Sequence, residues 1–192
     1  MMQPIGIVNS IFNSITYIIP IGNDNDCCLV DCGDVEKVIE EGWRVKSVLL
    51  THAHFDHIYG LNKLLNKFPD VSVYTNEAGR MNLQEPKWNF SRYHENTRDF
   101  IFRAPEKVKV LRDGDIMALS KELSFEVIET PGHEPSCVCY FDDESIFTGD
   151  SYIPGVKVVT SFPRSDRNLA IVSELRIKEL SKNRIIYAGH KI

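Results

Sequence analysis

Residues 51–57 read Thr51-His52-Ala53-His54-Phe55-Asp56-His57, three imidazoles and one carboxylate in seven positions. His and Asp are costly to bury without partners, and a divalent cation is the commonest partner able to satisfy so many together. The flanks locate the cluster. An apolar run from Val45 to Leu50 leads into it, and Leu61, Leu64, Leu65 and Phe68 follow at helical spacing. The expectation is a strand, a ligand-bearing loop and a helix, with polar side chains presented at the end of a rigid element.

Three later residues share this grammar. His133 ends Thr130-Pro131-Gly132-His133, Asp150 ends Phe147-Thr148-Gly149-Asp150, and His190 ends Tyr187-Ala188-Gly189-His190. Each follows an apolar, strand-like run and a glycine. A single His after a strand is usually a satisfied surface or core residue. Three such sites together with the first cluster point to one metal centre.

The pattern resembles the metallo-β-lactamase superfamily of hydrolases, and within it the glyoxalase II-like members, whose His-x-His-x-Asp-His block precedes single His, Asp and His ligands. The resemblance runs from Leu29-Val30-Asp31-Cys32-Gly33 to His190. It implies an α/β fold, the four-layer αββα sandwich. It also implies one metal held by His52, His54 and His133, and a second held by Asp56, His57 and His190, with Asp150 bridging; all seven positions carry the expected residue type. The implied cofactors are two divalent ions, zinc first, with iron or manganese as substitutes, since these ligands suit several metals. Asp56 and Asp150 then belong to the catalytic apparatus. Water shared by two such ions is a hydroxide near neutral pH, because bound metal lowers its pKa to about 7, so no Ser or Cys nucleophile is needed. Tyr152 is nominated as a catalytic hydroxyl, since some lactone-cleaving relatives place a tyrosine near this point. Packing of its ring is the alternative.

At 192 residues the chain fits one domain, 1–192, able to bury a core without disulfides. A formal charge of −5 argues against nucleic acid as a partner, which needs a basic face. No apolar run approaches the ~18 residues of a membrane span, and no signal-peptide pattern opens the chain, so neither membrane nor export is expected and a cytoplasmic location is the default. The five cysteines read as core residues in a reducing compartment.

Strands are expected at Ile5–Val8, Ser14–Ile19, Cys27–Asp31, Val45–Leu50 and Val71–Tyr74. A helix capped by Asp34 ends at Gly42, and another covers Ile58–Lys67. The second half repeats the style, with strands near Val108–Leu111, Ile116–Ala118, Leu123–Ile128, Cys137–Phe141, Ile146–Thr148 and Arg184–Tyr187. A final helix from about Asp166 to Leu180 would put Leu169, Val172, Leu175 and Leu180 on one face. Segment 85–105 holds Trp88, Phe90, Tyr93 and Phe100 without clean periodicity. It reads as a loop packing aromatics onto the core, or as a lip over the site; His94 within it reads as solvent-facing.

Asp31 could accept the second N–H of a ligand imidazole, or serve only a turn; Thr51 and Thr130 are similar anchors. Lys157 and Arg164 could bind a substrate carboxylate. The expected activity is hydrolysis of a small acyl substrate such as a thioester or lactone. The chain ends two residues after His190, without the C-terminal extension by which glyoxalase II holds glutathione, so the reaction class is carried over and the substrate is not. Two alternatives stay open: a single-iron sulfur dioxygenase of the same superfamily and, behind it, a phosphodiesterase or nuclease.

Overall fold

The computed structural model describes residues 3–22, 24–95, 97–121 and 123–191. Six strands, β1 (Ile5–Val8), β2 (Ile15–Pro20), β3 (Asp26–Val30), β4 (Arg44–Leu49), β5 (Ser72–Thr75) and β6 (Val108–Val110), form one sheet in that order. Its first three strands pair antiparallel and the rest parallel. A second sheet is built from β7 (Ile116–Ala118), β8 (Ser124–Glu129), β9 (Val138–Phe141), β10 (Ser145–Gly149) and β11 (Ile185–Ala188). Its order is β11-β10-β9-β8-β7, and only β10 and β11 are parallel. The helices are α1 (Val35–Glu40), α2 (Phe55–Ile58), α3 (Leu61–Lys67), α4 (Glu77–Asn82) and α5 (Arg167–Leu180).

The central strands β2, β3, β9 and β10 are buried on two faces, so they read as near-continuous apolar runs, while β7 and β8 toward the edge of the second sheet alternate. In β3, Cys27 and Leu29 point to the helix side and pack with Val35, Val38, Leu61 and Leu64. Cys28 and Val30 point the other way, into a layer shared with Phe125, Val127, Tyr140 and Phe147 of the second sheet. Beyond that sheet, Ile128, Cys139 and Ile146 meet Ile177 of α5. Helix, sheet, sheet, helix is the αββα order that the family resemblance implies. All five cysteines are buried and free, as core packing requires; burial pushes the Cys27, Cys28 and Cys139 thiols up to about 12. Among the described residues no helix is long and apolar enough to cross a membrane.

Three local expectations differ. The helix expected over Ile58–Lys67 is two helices, because the main chain breaks away to pair with the loop after β3. Cys32 N–H donates to His57 O, and Gly60 N–H to Cys32 O. Asp34 precedes α1, but its carboxylate accepts from Ser10 N–H, Ser10 Oγ and Lys37 Nζ and from the Tyr59 hydroxyl, not from the main-chain N–H groups of the helix. The apolar stripe of α5 faces outward: Leu169, Val172 and Leu175 are exposed, and of that set only Leu180 packs inward. The buried positions are Ala170, Ser173 and Ile177. Small residues at the first two let the helix lie close over the loop after β8, where Ser173 Oγ donates to Pro131 O at 2.7 Å.

Candidate metal centre

Each ligand-bearing segment leaves the C-terminal end of a strand. His52 and His54 follow β4, His133 follows β8, Asp150 follows β10 and His190 follows β11, while Asp56 and His57 ride on α2. Hydrogen bonds sew the two sheets together at this edge. Thr51 O accepts from Val138 N–H at 2.8 Å, and Gly189 O accepts from Ile15 N–H at 2.7 Å. Residues scattered from 52 to 190 are thus brought to one point.

The structure gathers His52, His54 and His133 into one ligand set and Asp56, His57 and His190 into another, with donor atoms within 4.8 Å of one another in each. His54 Nδ1 faces His133 Nε2 at 3.1 Å, and His57 Nε2 faces His190 Nε2 at 3.2 Å. Asp150 lies between the sets. Its Oδ2 is 3.6 Å from His133 Nε2 and 3.3 Å from His190 Nε2, and its Oδ1 is 3.6 Å from His57 Nε2. His52 Nε2, His54 Nε2 and Asp150 Oδ1 are buried without a hydrogen-bond partner. Such atoms cost free energy unless satisfied, and a cation satisfies a convergent set of neutral imidazoles and carboxylates. The donor set fits a divalent metal.

The outward ring nitrogens are held in turn. His57 Nδ1 lies 2.8 Å from Asp31 Oδ2, His133 Nδ1 2.9 Å from Val159 O, His190 Nδ1 2.9 Å from Phe12 O, and His52 Nδ1 3.2 Å from Thr51 Oγ1. For His57, His133 and His190 the partner is an acceptor only, so Nδ1 carries a proton and Nε2 is the atom turned inward, toward a cation. Asp31 is the hub. It is buried, takes a left-handed φ of 59°, and also accepts from Thr51 N–H and Thr51 Oγ1, each at 2.8 Å. Its role as an anchor, and not only a turn residue, follows from those contacts. Thr51 shares it; Thr130 does not, since its hydroxyl meets Ser151 Oγ and Cys139 Sγ.

Electrostatics agree. Burial pulls His52 and His54 well below the usual imidazole range, keeping them in the neutral form that binds metal. Burial also opposes a charge on His57, but Asp56, Asp31 and Asp150 overcome it and push its pKa up to about 10. The same negative field favours a bound cation. Asp150 is held well below the carboxylate range by His190, His57 and His52, despite burial.

Above the ligands opens a cavity of about 530 Å³. Phe90 and Tyr93 of segment 85–105 line it, so this segment does form a lip, while Phe100 packs into the core. His94 corrects the sequence reading: it is half-buried against Phe12 and Phe55, ring centroids 5.5 and 5.3 Å away, and faces the cavity. Tyr152 is not among the lining residues. Its ring packs on the cluster around Ile177, under Lys178 Nζ at 5.5 Å, which matches the packing alternative. Arg164 is also drawn away. Its guanidinium donates to Asn82 Oδ1 at 2.6 Å, lies 3.5 Å from Glu134 Oε1 and covers Trp88. Lys157 lines a smaller groove beside His133 and Asp150.

The sequence reading missed Phe12, Phe55, Phe162 and Glu134. The first three are ordinary core-type residues, recruited by tertiary position. Glu134 left a signal, a carboxylate directly after a ligand. It is buried, accepts from Asn82 Nδ2 and Ser136, and Ser136 Oγ in turn accepts from Ala53 N–H, fixing the loop between His52 and His54.

Comparison with known proteins points the same way. Residues 12–190 match the family described as the metallo-beta-lactamase superfamily. Hydroxyacylglutathione hydrolase of Citrobacter koseri is 31% identical over 137 residues, 69% of this chain; the chain spans about 45% of that relative's length. Among solved structures, the BLEG-1 B3 metallo-beta-lactamase superposes with a TM-score of 0.84 at 25% identity, over 99% of this chain and 92% of that one. TTHA1623 in a di-iron-bound form gives 0.80 at 24% identity, over 100% and 93%.

Proposed function

The chain belongs to the metallo-β-lactamase superfamily, and from that premise we propose that it is a two-metal hydrolase of small acyl substrates, thioesters or lactones. The observation that carries this reading is the pair of ligand sets with Asp150 between them, its Oδ2 within 3.6 Å of a nitrogen from each. A one-metal reaction has no use for Asp56, His57 and His190 as a second complete set. The hydroxyacylglutathione hydrolase relative supports a thioester as one form of the substrate.

His52, His54 and His133 would hold one ion, Asp56, His57 and His190 the other, and Asp150 both. When bound, the ions supply Lewis acidity that polarises a carbonyl and makes water a nucleophile near pH 7. The protein does the rest. Asp31, Val159 O and Phe12 O retain the protons on the outward nitrogens of His57, His133 and His190, so that each presents a lone pair. Phe90 and Phe162 pack against the His54 ring, at 4.8 and 5.2 Å, and limit water on the substrate side. Among the described residues no Lys or Arg lines the main cavity, which favours an acyl compound over a phosphodiester.

Elemental analysis of purified protein, run with a thioester and lactone panel and with an oxygen electrode on persulfides, tests the proposal. Two ions per chain, hydrolysis lost on chelation and restored by Zn²⁺ or Mn²⁺, and no oxygen uptake are expected. One iron per chain with persulfide-dependent oxygen uptake would replace the hydrolase with the dioxygenase.

A further inference from the structure

We infer that the site selects an acyl group that is uncharged and apolar, a medium-length alkyl or aryl chain, rather than one bearing a carboxylate. This rests on the hydrolase reading and names the substrate class of the same site.

The metal ligands form the floor of the cavity, and its walls are mostly hydrocarbon, interrupted by Tyr93 and His94. Phe90 and Phe162 face one another at 4.9 Å on one side, and Ile153, Val156 and Val159 stand on another. Phe12 closes the mouth. It is largely exposed, with its φ at 53° and that of Asn13 at 55°, a turn that lifts the ring clear of the sheet while its carbonyl holds His190. About 530 Å³ lies within the range of pockets that enclose small organic ligands.

Among the described residues the walls offer no Lys or Arg to a carboxylate. Arg164 is engaged by Asn82, Glu134 and Trp88, and lines a neighbouring recess on the far side of Phe90, Tyr93 and Phe162. Lys157 is exposed in the adjoining groove. A carboxylate carried along the aromatic wall would lose water without gaining a partner, whereas each methylene laid there is removed from water. Full burial of one methylene corresponds to about fourfold in binding.

The test uses N-acetylcysteamine thioesters, whose thiol portion is neutral, with acetyl, butyryl, hexanoyl and succinyl groups. Turnover by zinc-loaded protein is followed by thiol release. In parallel, calorimetry measures binding of the corresponding non-hydrolysable S-alkyl and S-carboxyalkyl thioethers to metal-free protein. The expected result is a rise of about threefold to fourfold per methylene in kcat/KM and in thioether affinity, with succinyl about tenfold or more below butyryl. Val156 is 42% exposed, so V156K is expected to fold and to narrow the succinyl deficit; F162A is expected to flatten the chain-length dependence. A flat series in both assays, or preference for succinyl, overturns the inference. Thioether affinities that rise with chain length while no thioester is hydrolysed would instead refute the hydrolase reading and leave the apolar site standing.

Discussion

Asp31→Asn isolates the step by which a carboxylate sets the metal affinity of an imidazole. Asp31 Oδ1 accepts the main-chain N–H of Thr51, and Oδ2 accepts Thr51 Oγ1 and lies against His57 Nδ1, all at 2.8 Å. An amide is isosteric and tolerates the left-handed φ of 59° at this position. The fixed Thr51 N–H demands the amide oxygen, so the NH₂ must take the Oδ2 position and point at His57 Nδ1. That nitrogen then has to accept, the ring proton moves to Nε2, and the lone pair aimed at the second ligand set is lost. Loss of such a carboxylate typically costs 10–100-fold in metal affinity or activity, about 1.4–2.8 kcal/mol. The deficit should fall on the ion held by Asp56, His57 and His190, with the His52, His54 and His133 ion retained. Asp31→Ala should do worse, because it strands buried donors on Thr51 and His57, at about 3–5 kcal/mol of folding stability. Competition against a chromophoric chelator gives both affinities, and ¹⁵N NMR of the imidazoles reports the His57 tautomer. Wild-type affinity at both sites in Asp31→Asn, or an unchanged tautomer, would refute the reasoning.

Asp56→Ala should lower occupancy from two ions toward one and depress hydrolysis, read by elemental analysis of the dialysed variant. Gly149 has a φ of 49° and no room for a β-carbon, which would collide with the Thr51 side chain. Gly149→Ala should therefore lower thermal stability by about 1–2 kcal/mol for the backbone alone, more with the clash, and Gly189→Ala should displace Asp150 and weaken metal binding. Ser136→Ala removes the acceptor of Ala53 N–H and should cost about 1–3 kcal/mol by chemical denaturation. Hydrogen bonds from Tyr59, Lys37 and Ser10 outweigh burial and hold the Asp34 carboxyl down to about 2. A depressed carboxyl stabilises the fold above its unfolded pKa and ceases to do so as pH falls through the folded value. Wild type should thus exceed Asp34→Asn in stability at pH 6, by a margin that solvent screening keeps small and that shrinks between pH 4 and 2. A constant margin across that window would show that the ionised form is not what matters.

The residues of the candidate metal centre, which the structure brings together, were legible in the sequence because ligand chemistry is residue-specific. Three imidazoles and a carboxylate between Thr51 and His57 have few other uses, and the glycine before His133, Asp150 or His190 marks the turn that delivers each ligand. Strand positions were legible for a similar reason: segments buried on both faces of a sheet must be apolar throughout, and β3 and β9 read that way. Packing decisions were not. Leu169, Val172 and Leu175 are the more hydrophobic choice for the inner face of α5, yet Ala170 and Ser173 face inward because helix and loop approach too closely for leucine. Tyr152 and Arg164 carried suitable chemistry and were claimed by other neighbours. Beyond the lip that segment 85–105 offered, the cavity wall was invisible for the converse reason, since Phe12 and Phe162 look like any core residue until the fold sets them beside Phe90 over the ligands. Which groups can bind a metal is a property of the side chains themselves and is written locally. Which apolar rings meet a substrate, and whether a charged side chain is free to do so, depends on contacts between distant segments, and only tertiary structure decides it.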